Sequence, residues 1–537
     1  MMNNPYSDFI KANRRLWSRI PLSKSSNVLL LVEPHPLPYV SHAHAVFARI
    51  IKDAKGLSIG WIDTGNRHIQ ARLLSYDPSS RTIPQVTLTR FEKLIVRWKY
   101  LCSALRMILT GDVLGFSLNG IRFGDIVYDI YLQYHRAATM RRINHEVLRT
   151  LRDVIVVHYR YRKLLINTGA SAVLVSHTIG LFSGVLFRTA LGLRLEAYVR
   201  SAGERAAVEF SHFSSLDEIY NHQFKPRPSD IEFLQTINSQ VILKHFDEQI
   251  QKRMRGEIDI GTRMAYRSDK TTYKDRQKFA DKFGVDVTKK NVFVMLHAFN
   301  DHPRSTFKWM LFRDYYDWFL QTLKFAQNKT DVNWIFKEHP SSKFYPTDDI
   351  SLRNHFRNCP GHIVFFDAEA SFSSKSLLYL ADIIITCLGT AGVEFPAARG
   401  VPVIIAGNTF YNEFGFTIEP KSKNEYFQVL KHLETIKRLT KKQQYIAKLV
   451  FLYIQRYCHV PLDWCPVITV EEEKDPNIDN FYWNRVSDQY KYRSHVLLRQ
   501  FNDYVVRVGQ PDFKRLLDFS SLHMSFDSSE CSKLKKI

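Results

Sequence analysis

The sequence contains few of the residues that build fibrous, disulfide-rich or zinc-binding proteins. Of its 537 residues, only 22 are glycine, 20 are proline and 6 are cysteine. This scarcity of glycine and proline excludes collagen-like and low-complexity architectures. The cysteines are scattered and lack zinc-binding spacing, so we expect free thiols in a reducing cytoplasm and no metal site.

Long apolar runs are also missing. Residues 1–20 are polar and basic, unlike the apolar centre of a signal peptide. The longest apolar stretch, residues 170–193, is interrupted by His177 and Arg188, which a bilayer span disfavours. The sequence therefore predicts a cytoplasmic protein, either dissolved or bound peripherally at the inner face of the cytoplasmic membrane.

Acidic residues are outnumbered, because 53 aspartates and glutamates face 75 lysines and arginines, giving a net charge of +22. The hydrophobic fraction of 45% is typical of globular chains, and this length suggests two or three domains. The basic surplus indicates an anionic partner such as nucleic acid, acidic lipid, a nucleotide or an acidic sugar. A solvated basic surface with no specific partner explains the charge equally well.

Continuous apolar runs predict the buried strands of parallel sheets. These runs cover residues 27–32, 57–63, 172–176, 292–296, 333–336, 362–366, 382–386 and 403–405. Helical patterns separate them, so we predict an α/β protein with two Rossmann-type lobes facing a cleft. The predicted parts are an acceptor-side lobe at 1–209, a helical linker at 210–285, a nucleotide-donor lobe at 286–440 and a helical C-terminal extension at 441–537.

Two further helices are predicted in the N-terminal half. Apolar residues from Phe91 to Ile108 recur at helical spacing. A second helix over residues 136–165 carries many arginines and little acid. This excess of arginine is explained either by a solvated helix face or by a surface that binds anionic lipid or polysaccharide.

Polar residues follow the predicted strands of the donor-side lobe. Lys337 and His339 lie at a strand end, where an ammonium and an imidazole suit a phosphate. Asp301, Arg304 and Ser305 lie in the loop after the first strand of this lobe, where they suit a phosphate or a sugar carboxylate. Ordinary surface residues and a capped loop are the competing explanations.

A glycine-containing turn opens a helix in the same lobe. Gly389, Thr390 and Gly392 allow a ligand to approach the backbone and the helix N-terminus. Glu394, one turn later, suits ribose hydroxyls. Tight packing between strand and helix would produce the same pattern.

Three groups of residues are candidate catalysts in the N-terminal half. Asp125 and Asp129 are spaced to share one helical face, and either could activate an acceptor hydroxyl or attack an anomeric carbon. Asp125 fits a helix N-cap equally well. His177 follows a predicted strand, and the pair Glu33 and His35 follows another.

Four segments of the donor-side lobe resemble the bacterial capsule polysaccharide biosynthesis proteins, a family that includes Kdo transferases. They are Lys337–Pro340, Gly389–Glu394, Gly400–Val403 and Gly407–Tyr411, and the resemblance is clearest over residues 292–420. It implies a GT-B glycosyltransferase that uses a CMP-activated sugar. Lys337 and His339 would then hold the donor phosphate, the turn at Thr390 and Gly392 would accommodate the nucleotide, and Glu394 would lie near its ribose. Gly389 departs from the family, which usually has serine there.

The sequence thus predicts a glycosyltransferase that moves a sugar, such as Kdo from CMP-Kdo, onto a surface or capsular glycan or glycolipid. We expect no cofactor beyond the nucleotide sugar, which is a substrate, and metal-independent catalysis, because no Asp-x-Asp pair is suitably placed. Contact with an anionic membrane is open, and nucleic acid is not an expected partner. The alternatives are a polyol-phosphate transferase of the teichoic-acid type and a basic, non-catalytic membrane- or nucleic-acid-binding protein.

Overall fold

The structure is a computed structural model of the 537-residue chain. It describes residues 5–20, 28–205, 207–221, 224–258, 260–266, 269–462, 465–466, 468, 472 and 475–509. The terminal segment from Ser520, predicted to fray, lies outside the described residues. Of the cysteines, the five within them are free thiols, as expected.

The N-terminal part of the chain alternates helices and strands. In chain order its elements are α1 (Pro5–Trp17), β1 (Leu29–Val32), α2 (Pro38–Lys55), β2 (Ser58–Ile62), α3 (Arg67–Leu74), β3 (Arg81–Ile83), α4 (Arg90–Thr110), β4 (Ser117–Leu118), β5 (Ile121–Arg122), α5 (Gly124–Tyr134), α6 (His145–Thr168), β6 (Ala170–Val175), α7 (Val185–Gly192), β7 (Glu196–Arg205) and β8 (Ala207–Phe213). The predicted helix at 136–165 therefore begins later, at His145.

The remaining elements begin with helices and continue into a second α/β block. They are α8 (Pro228–Thr236), α9 (Ser239–Met254), α10 (Ile260–Ala265), α11 (Arg276–Phe283), β9 (Asn291–Met295), α12 (Tyr315–Asn328), β10 (Asn333–Lys337), α13 (Leu352–Phe356), β11 (Ile363–Phe366), α14 (Leu377–Leu380), β12 (Ile383–Thr386), α15 (Ala391–Arg399), β13 (Val403–Ile405), β14 (Thr417–Ile418), α16 (Lys423–Lys431), α17 (Lys441–Leu452), β15 (His459–Pro461) and α18 (Ile478–Gly509). No helix in the described ranges is long and apolar enough to cross a bilayer.

The chain divides into two compact units. The first contains the residues up to Ile126, Leu148–Ile219 and those from Tyr457 onward, and the second contains Val127–Val147 and Tyr220–Arg456. These limits differ from the predicted domains. The segment predicted as a linker starts inside β8 of the first unit, and the predicted C-terminal extension is split, with α17 in the second unit and α18 in the first.

The sheet of the first unit has the strand order β15-β8-β7-β6-β1-β2-β3. The strands from β7 to β3 are parallel, and β8 and β15 are antiparallel additions at one edge. From β1 the chain continues to β2 and β3 on one side of it, and it returns later to form β6 on the other side. The carboxyl ends of β1 and β6 therefore flank a topological switch point, where sheets of this kind bind ligands.

The sheet of the second unit has the order β11-β10-β9-β12-β13-β14, and every pairing is parallel. In the chain order of these six strands this is 3-2-1-4-5-6, the doubly wound order, with its switch point between β9 and β12. The prediction of an α/β chain with two Rossmann-type lobes is confirmed.

The long C-terminal helix completes the core of the first unit. Trp483 of α18 packs on Phe9 of α1 with ring centroids 4.3 Å apart, and Phe501 packs on Trp17 at 5.2 Å. All four side chains are buried in one cluster that also includes the apolar face of α2. Burying so much aromatic surface explains why this helix is part of the first unit rather than a separate extension.

Candidate functional site

Lys337 ends strand β10, next to the switch point of the second unit. The carbonyl of Lys337 accepts a hydrogen bond from Leu296, the residue that follows β9, so the two strand ends lie side by side. The Lys337 side chain is 2% exposed, and burial lowers the pKa of its ammonium to about 8, with Lys270 adding repulsion. Within the described residues its Nζ makes one long hydrogen bond, 3.4 Å to the Glu338 carbonyl, and no ion pair. Glu338 and Asp367 attract the ammonium and offset part of this lowering, but within the described residues neither carboxylate forms an ion pair with it, so this buried cation is suited to an anionic ligand.

His339 lies two residues beyond Lys337 and is held in one orientation. Its Nδ1 accepts a hydrogen bond from the backbone N–H of Ser341 at 3.2 Å and contacts the Ser341 hydroxyl at 2.6 Å. Burial, with a contribution from Lys337, lowers the pKa of His339 to about 4. The imidazole is therefore neutral at pH 7 with its proton on Nε2, which makes it a hydrogen-bond donor to a phosphate rather than an acid.

His297, which the sequence analysis did not single out, joins this group from the end of β9. Its ring lies parallel to that of His339, with centroids 6.4 Å apart. Its Nε2 accepts a hydrogen bond from the backbone of Leu388 and contacts the Thr386 hydroxyl, both at 3.2 Å. His297 thus attaches the turn before α15 to the end of β9. Its position directly after a predicted strand was the signal that could have found it.

The turn at Gly389 to Gly392 is held by side chains from elsewhere in the second unit. Tyr411 donates its hydroxyl to the Gly389 carbonyl at 2.7 Å, and a Cβ added to Gly392 would lie 2.1 Å from that hydroxyl oxygen. Glycine at 392 is therefore required for this close approach. Since α15 starts at Ala391, the turn presents a helix N-terminus beside His297.

Thr390 and Glu394 are occupied by an arginine of α9. Arg253 donates to the Thr390 hydroxyl at 3.0 Å and forms an ion pair with Glu394 at 2.5 Å. Glu394 also accepts a hydrogen bond from the Tyr266 hydroxyl and is 3% exposed. The contacts with Arg253 and Tyr266 show that the Glu394 carboxylate holds α15 in place. A contact of Glu394 with ribose stays a prediction.

The loop after β9 is fastened to α5 by Asp129. This fully buried carboxylate accepts hydrogen bonds from the backbone N–H of Arg304 at 3.1 Å and of Ser305 at 2.6 Å, and from the Ser305 hydroxyl at 2.6 Å. The Arg304 guanidinium donates to the Phe312 carbonyl at 3.1 Å. Asp129 therefore holds the backbone of Arg304 and both the backbone and the hydroxyl of Ser305 in place. Asp301 lies in the same loop, and burial raises the pKa of its carboxyl to about 6.

Asp125 has a structural partner in the first unit. Its two carboxylate oxygens receive the guanidinium of Arg188 of α7 at 2.7 and 2.8 Å, and both side chains are fully buried. Removing one member of a buried pair of this kind typically costs 3–5 kcal/mol. A catalytic role for Asp125 or Asp129 stays a prediction, and the geometry favours stabilising roles for both.

The structure instead gathers Glu33, His35 and His177 at the switch point of the first unit. Glu33 follows β1 and accepts hydrogen bonds from the Ser183 hydroxyl at 2.7 Å and the Ser176 backbone at 3.3 Å. His177 contacts the Ser176 hydroxyl through Nδ1 at 3.0 Å. Burial raises the pKa of Glu33, and burial, followed by Arg200 and His177, lowers the pKa of His35 to about 4. A half-buried carboxyl with a raised pKa beside an exposed histidine is suited to proton transfer.

Within the described ranges, no three His, Cys, Asp or Glu side chains lie close enough together to hold a metal ion. Metal-independent catalysis stays a prediction.

The pKa of Lys337 predicts a pH dependence for the binding of a phosphate-containing ligand beside β10. Because the ammonium loses its proton as pH rises through about 8, affinity for such an anion should fall by about tenfold per pH unit above that value. Calorimetric titrations between pH 7 and 9.5 measure this. In Lys337→Arg the guanidinium stays charged over the whole range, so the decline should disappear. An unchanged decline in that variant would assign it to another group.

Comparisons with protein families and with curated proteins find no match. Among solved structures, the β-Kdo 2,4-transferase KpsC of Thermosulfurimonas dismutans is 15% identical, with 52% of this chain and 79% of that chain covered and a TM-score of 0.31. HepE of Anabaena in complex with UDP is 13% identical, with 80% and 94% covered and a TM-score of 0.26. A putative UDP-N-acetylglucosamine 2-epimerase from Listeria monocytogenes is 9% identical, with 79% and 91% covered and a TM-score of 0.25.

The structural neighbours thus include glycosyltransferases, among them a Kdo transferase, and an epimerase named for a nucleotide sugar. At these identities the likeness concerns the fold alone. The roles of individual residues in this chain rest on its own geometry.

Proposed function

We propose that this protein is a glycosyltransferase whose second unit binds the nucleotide sugar. The observation that supports this most is the buried Lys337 ammonium, which forms no ion pair within the described residues and interacts electrostatically with the neutral imidazole of His339. Lys337 ends β10 and His339 follows it, next to the switch point where doubly wound sheets bind nucleotides. A cation and a neutral donor together suit the phosphate of a sugar nucleotide.

The donor we propose is a CMP-activated acidic sugar such as Kdo. The segments around Lys337, Gly389 and Gly407 that resemble the capsule polysaccharide proteins support this choice. In the transition state, negative charge accumulates on the leaving phosphate. Lys337 would stabilise this charge directly, and His339 through its Nε2–H.

The acceptor is proposed to be a surface or capsular glycan, or a glycolipid that carries it, and to bind at the first unit. Glu33 would take the proton of the acceptor hydroxyl as its oxygen bonds to the anomeric carbon. The bond from that carbon to the phosphate oxygen breaks in the same step, and the nucleotide leaves with the negative charge. The hydroxyl of Ser183, which donates to Glu33 at 2.7 Å, would keep the carboxyl oriented. We place this reaction in the cytoplasm, at the inner face of the membrane.

Binding of the free nucleotides tests the proposal. A ligand that binds only the native state raises its melting temperature, so CMP should stabilise the protein at concentrations where UDP and CDP do not. Thermal unfolding with each nucleotide in turn measures this. The variant Lys343→Ala, which removes an exposed lysine from the same segment, should respond like the wild type.

Other outcomes redirect the proposal. Selective stabilisation by UDP would retain a glycosyltransferase but replace the donor. Selective stabilisation by CDP would favour a polyol-phosphate transferase, whose product contains a phosphodiester. No response to any nucleotide would overturn the assignment of the donor site.

A further inference from the structure

Among the described residues of the first unit, helix α4 carries an apolar stripe that is left exposed. The stripe consists of six side chains spaced alternately three and four residues apart, which places them on one face of the helix. They are Phe91, Leu94, Trp98, Leu101, Leu105 and Ile108. Phe91 is 71% exposed, Trp98 67% and Leu94 63%, so the stripe is a surface, whereas the buried face of the same helix is formed by Val96, Ala104 and Met107.

Basic residues flank this stripe on both sides. At 100° per residue, Arg90 and Arg97 fall on one side of it, and Lys99 and Arg106 fall on the other. The one acidic residue of α4, Glu92, is paired with Lys163 of α6 at 2.7 Å and caps the helix at Thr89. An exposed apolar stripe between two rows of cations is typical of helices that lie in the interface of an anionic membrane.

A groove between α4 and α6 extends the same charge pattern. Its volume is about 570 Å³, and the side chains of Val96, Tyr100 and Val156 contribute apolar lining. Four cations line it as well, two from each helix: Lys93, Arg97, Arg152 and Arg160. A groove with apolar walls and several cations suits the phosphate and the upper acyl chain of an anionic lipid.

We infer that the surface formed by α4 and the adjoining face of α6 docks this protein on an anionic lipid bilayer. The apolar stripe enters the headgroup layer, and the arginines and lysines beside it contact lipid phosphates. Trp98, in the middle of the stripe, has the amphipathic ring that favours this depth. This inference goes beyond the transferase function, because it concerns where the protein works rather than what it transfers.

The arginines and lysines beside the stripe favour an anionic membrane over a second copy of the chain or a polysaccharide. A second copy of the chain packed through the same face would bring the arginines and lysines of two α4 helices together, and like charges at the edges of paired helices repel. An anionic polysaccharide would satisfy the cations but would leave the leucines, Phe91 and Trp98 in water. An anionic bilayer satisfies both the charge and the apolar surface.

Sedimentation with lipid vesicles tests the inference. The full-length protein should bind vesicles of phosphatidylcholine mixed with phosphatidylglycerol and should bind phosphatidylcholine vesicles much more weakly. The double variant Leu94→Glu/Trp98→Glu should lower the affinity for the mixed vesicles by at least about tenfold. The control Tyr492→Glu/Val506→Glu, which introduces the same two charges on exposed side chains of α18, should bind like the wild type.

A second variant pair isolates the charge contribution. Arg97→Gln/Lys99→Gln should weaken binding to the mixed vesicles and reduce its salt dependence, whereas the exposed pair Lys441→Gln/Lys442→Gln should do neither. Each side chain in these variants is exposed, so thermal unfolding should show the fold unchanged. Equal binding by wild type and Leu94→Glu/Trp98→Glu would overturn the inference. So would a wild-type dimer in analytical ultracentrifugation that this variant dissociates without any loss of vesicle binding.

The vesicle assay contains no sugar donor and therefore does not depend on the proposed transferase activity. If CMP fails to stabilise the protein but vesicles bind as described, the donor site is wrong and the docking surface remains. If CMP binds and vesicles do not, the docking surface is wrong and the transferase remains.

Discussion

Lys337→Ala and His339→Ala should each lower kcat/KM for sugar transfer by about a hundredfold to a thousandfold while leaving the protein folded. The estimate corresponds to losing one preorganised donor to charge that develops in the transition state. At neutral pH the loss should be larger for Lys337→Ala than for His339→Ala, because the Lys337 ammonium carries a full charge and is buried away from water. Single-turnover rates, with the enzyme in excess over the acceptor and the nucleotide sugar saturating, measure the chemical step directly.

Matched variants separate the lost charge from other consequences of the substitution. Lys337→Met keeps most of the side-chain volume and should be as inactive as Lys337→Ala, whereas the exposed lysine variant Lys343→Ala should be fully active. His339→Asn keeps an N–H donor and should retain more activity than His339→Ala. If Lys337→Met and His339→Ala both transfer sugar at near wild-type rates, neither residue contacts the donor phosphate.

The neutral imidazole of His339 has a consequence for the mechanism. A histidine with a pKa of about 4 is almost entirely neutral at pH 7. If His339 contacts the leaving phosphate as proposed, it would donate a hydrogen bond from Nε2–H rather than protonate the leaving group. The residue motif alone allowed both roles, and the hydrogen bond that Nδ1 accepts from Ser341 favours the first.

The parallel strands were the part of the fold that the sequence predicted best. Runs such as those now assigned to β1, β9, β10 and β12 consist of consecutive apolar residues, since both faces of the sheet are covered. The antiparallel pair β7 and β8 was missed because its residues are not uniformly apolar. Arg200 lies buried in β7 with its Nε 3.4 Å from His44, a contact that no local pattern indicates.

The candidate site divides in the same way. The positions of Lys337, His339 and the glycine turn could be predicted because strand ends and turns have local signals, whereas their roles stay predictions. The roles of Arg253 and Asp129 could not, since each acts on residues more than a hundred positions away along the chain. Contacts over such separations exist only once the sheet has brought distant loops together. For the same reason the sequence allowed Asp125 to be either a catalyst or a helix N-cap and did not indicate its partner Arg188.

Glu33→Gln should reduce the rate of sugar transfer by about a thousandfold and leave the affinity for the nucleotide unchanged. General-base catalysis of this kind contributes between about 10² and 10⁴ to a rate, and glutamine keeps the size of the side chain while losing its basicity. The groups assigned to the nucleotide belong to the second unit, so a substitution at the end of β1 should not affect CMP binding. Transfer rates and calorimetric titration with CMP measure the two effects separately.

The hydroxyl of Ser183 provides a more specific test of the same assignment. Its hydrogen bond lowers the pKa of Glu33 and opposes the larger rise caused by burial. A base works only when deprotonated, so kcat/KM should decline as the pH falls through the pKa of Glu33. Removing the hydroxyl in Ser183→Ala should raise that pKa and move the decline to higher pH. Asp125→Asn should instead lower the melting temperature, because it leaves Arg188 buried without its carboxylate. A Glu33→Gln variant that transfers sugar normally, together with an inactive Asp125→Asn variant of normal stability, would identify Asp125 as the base.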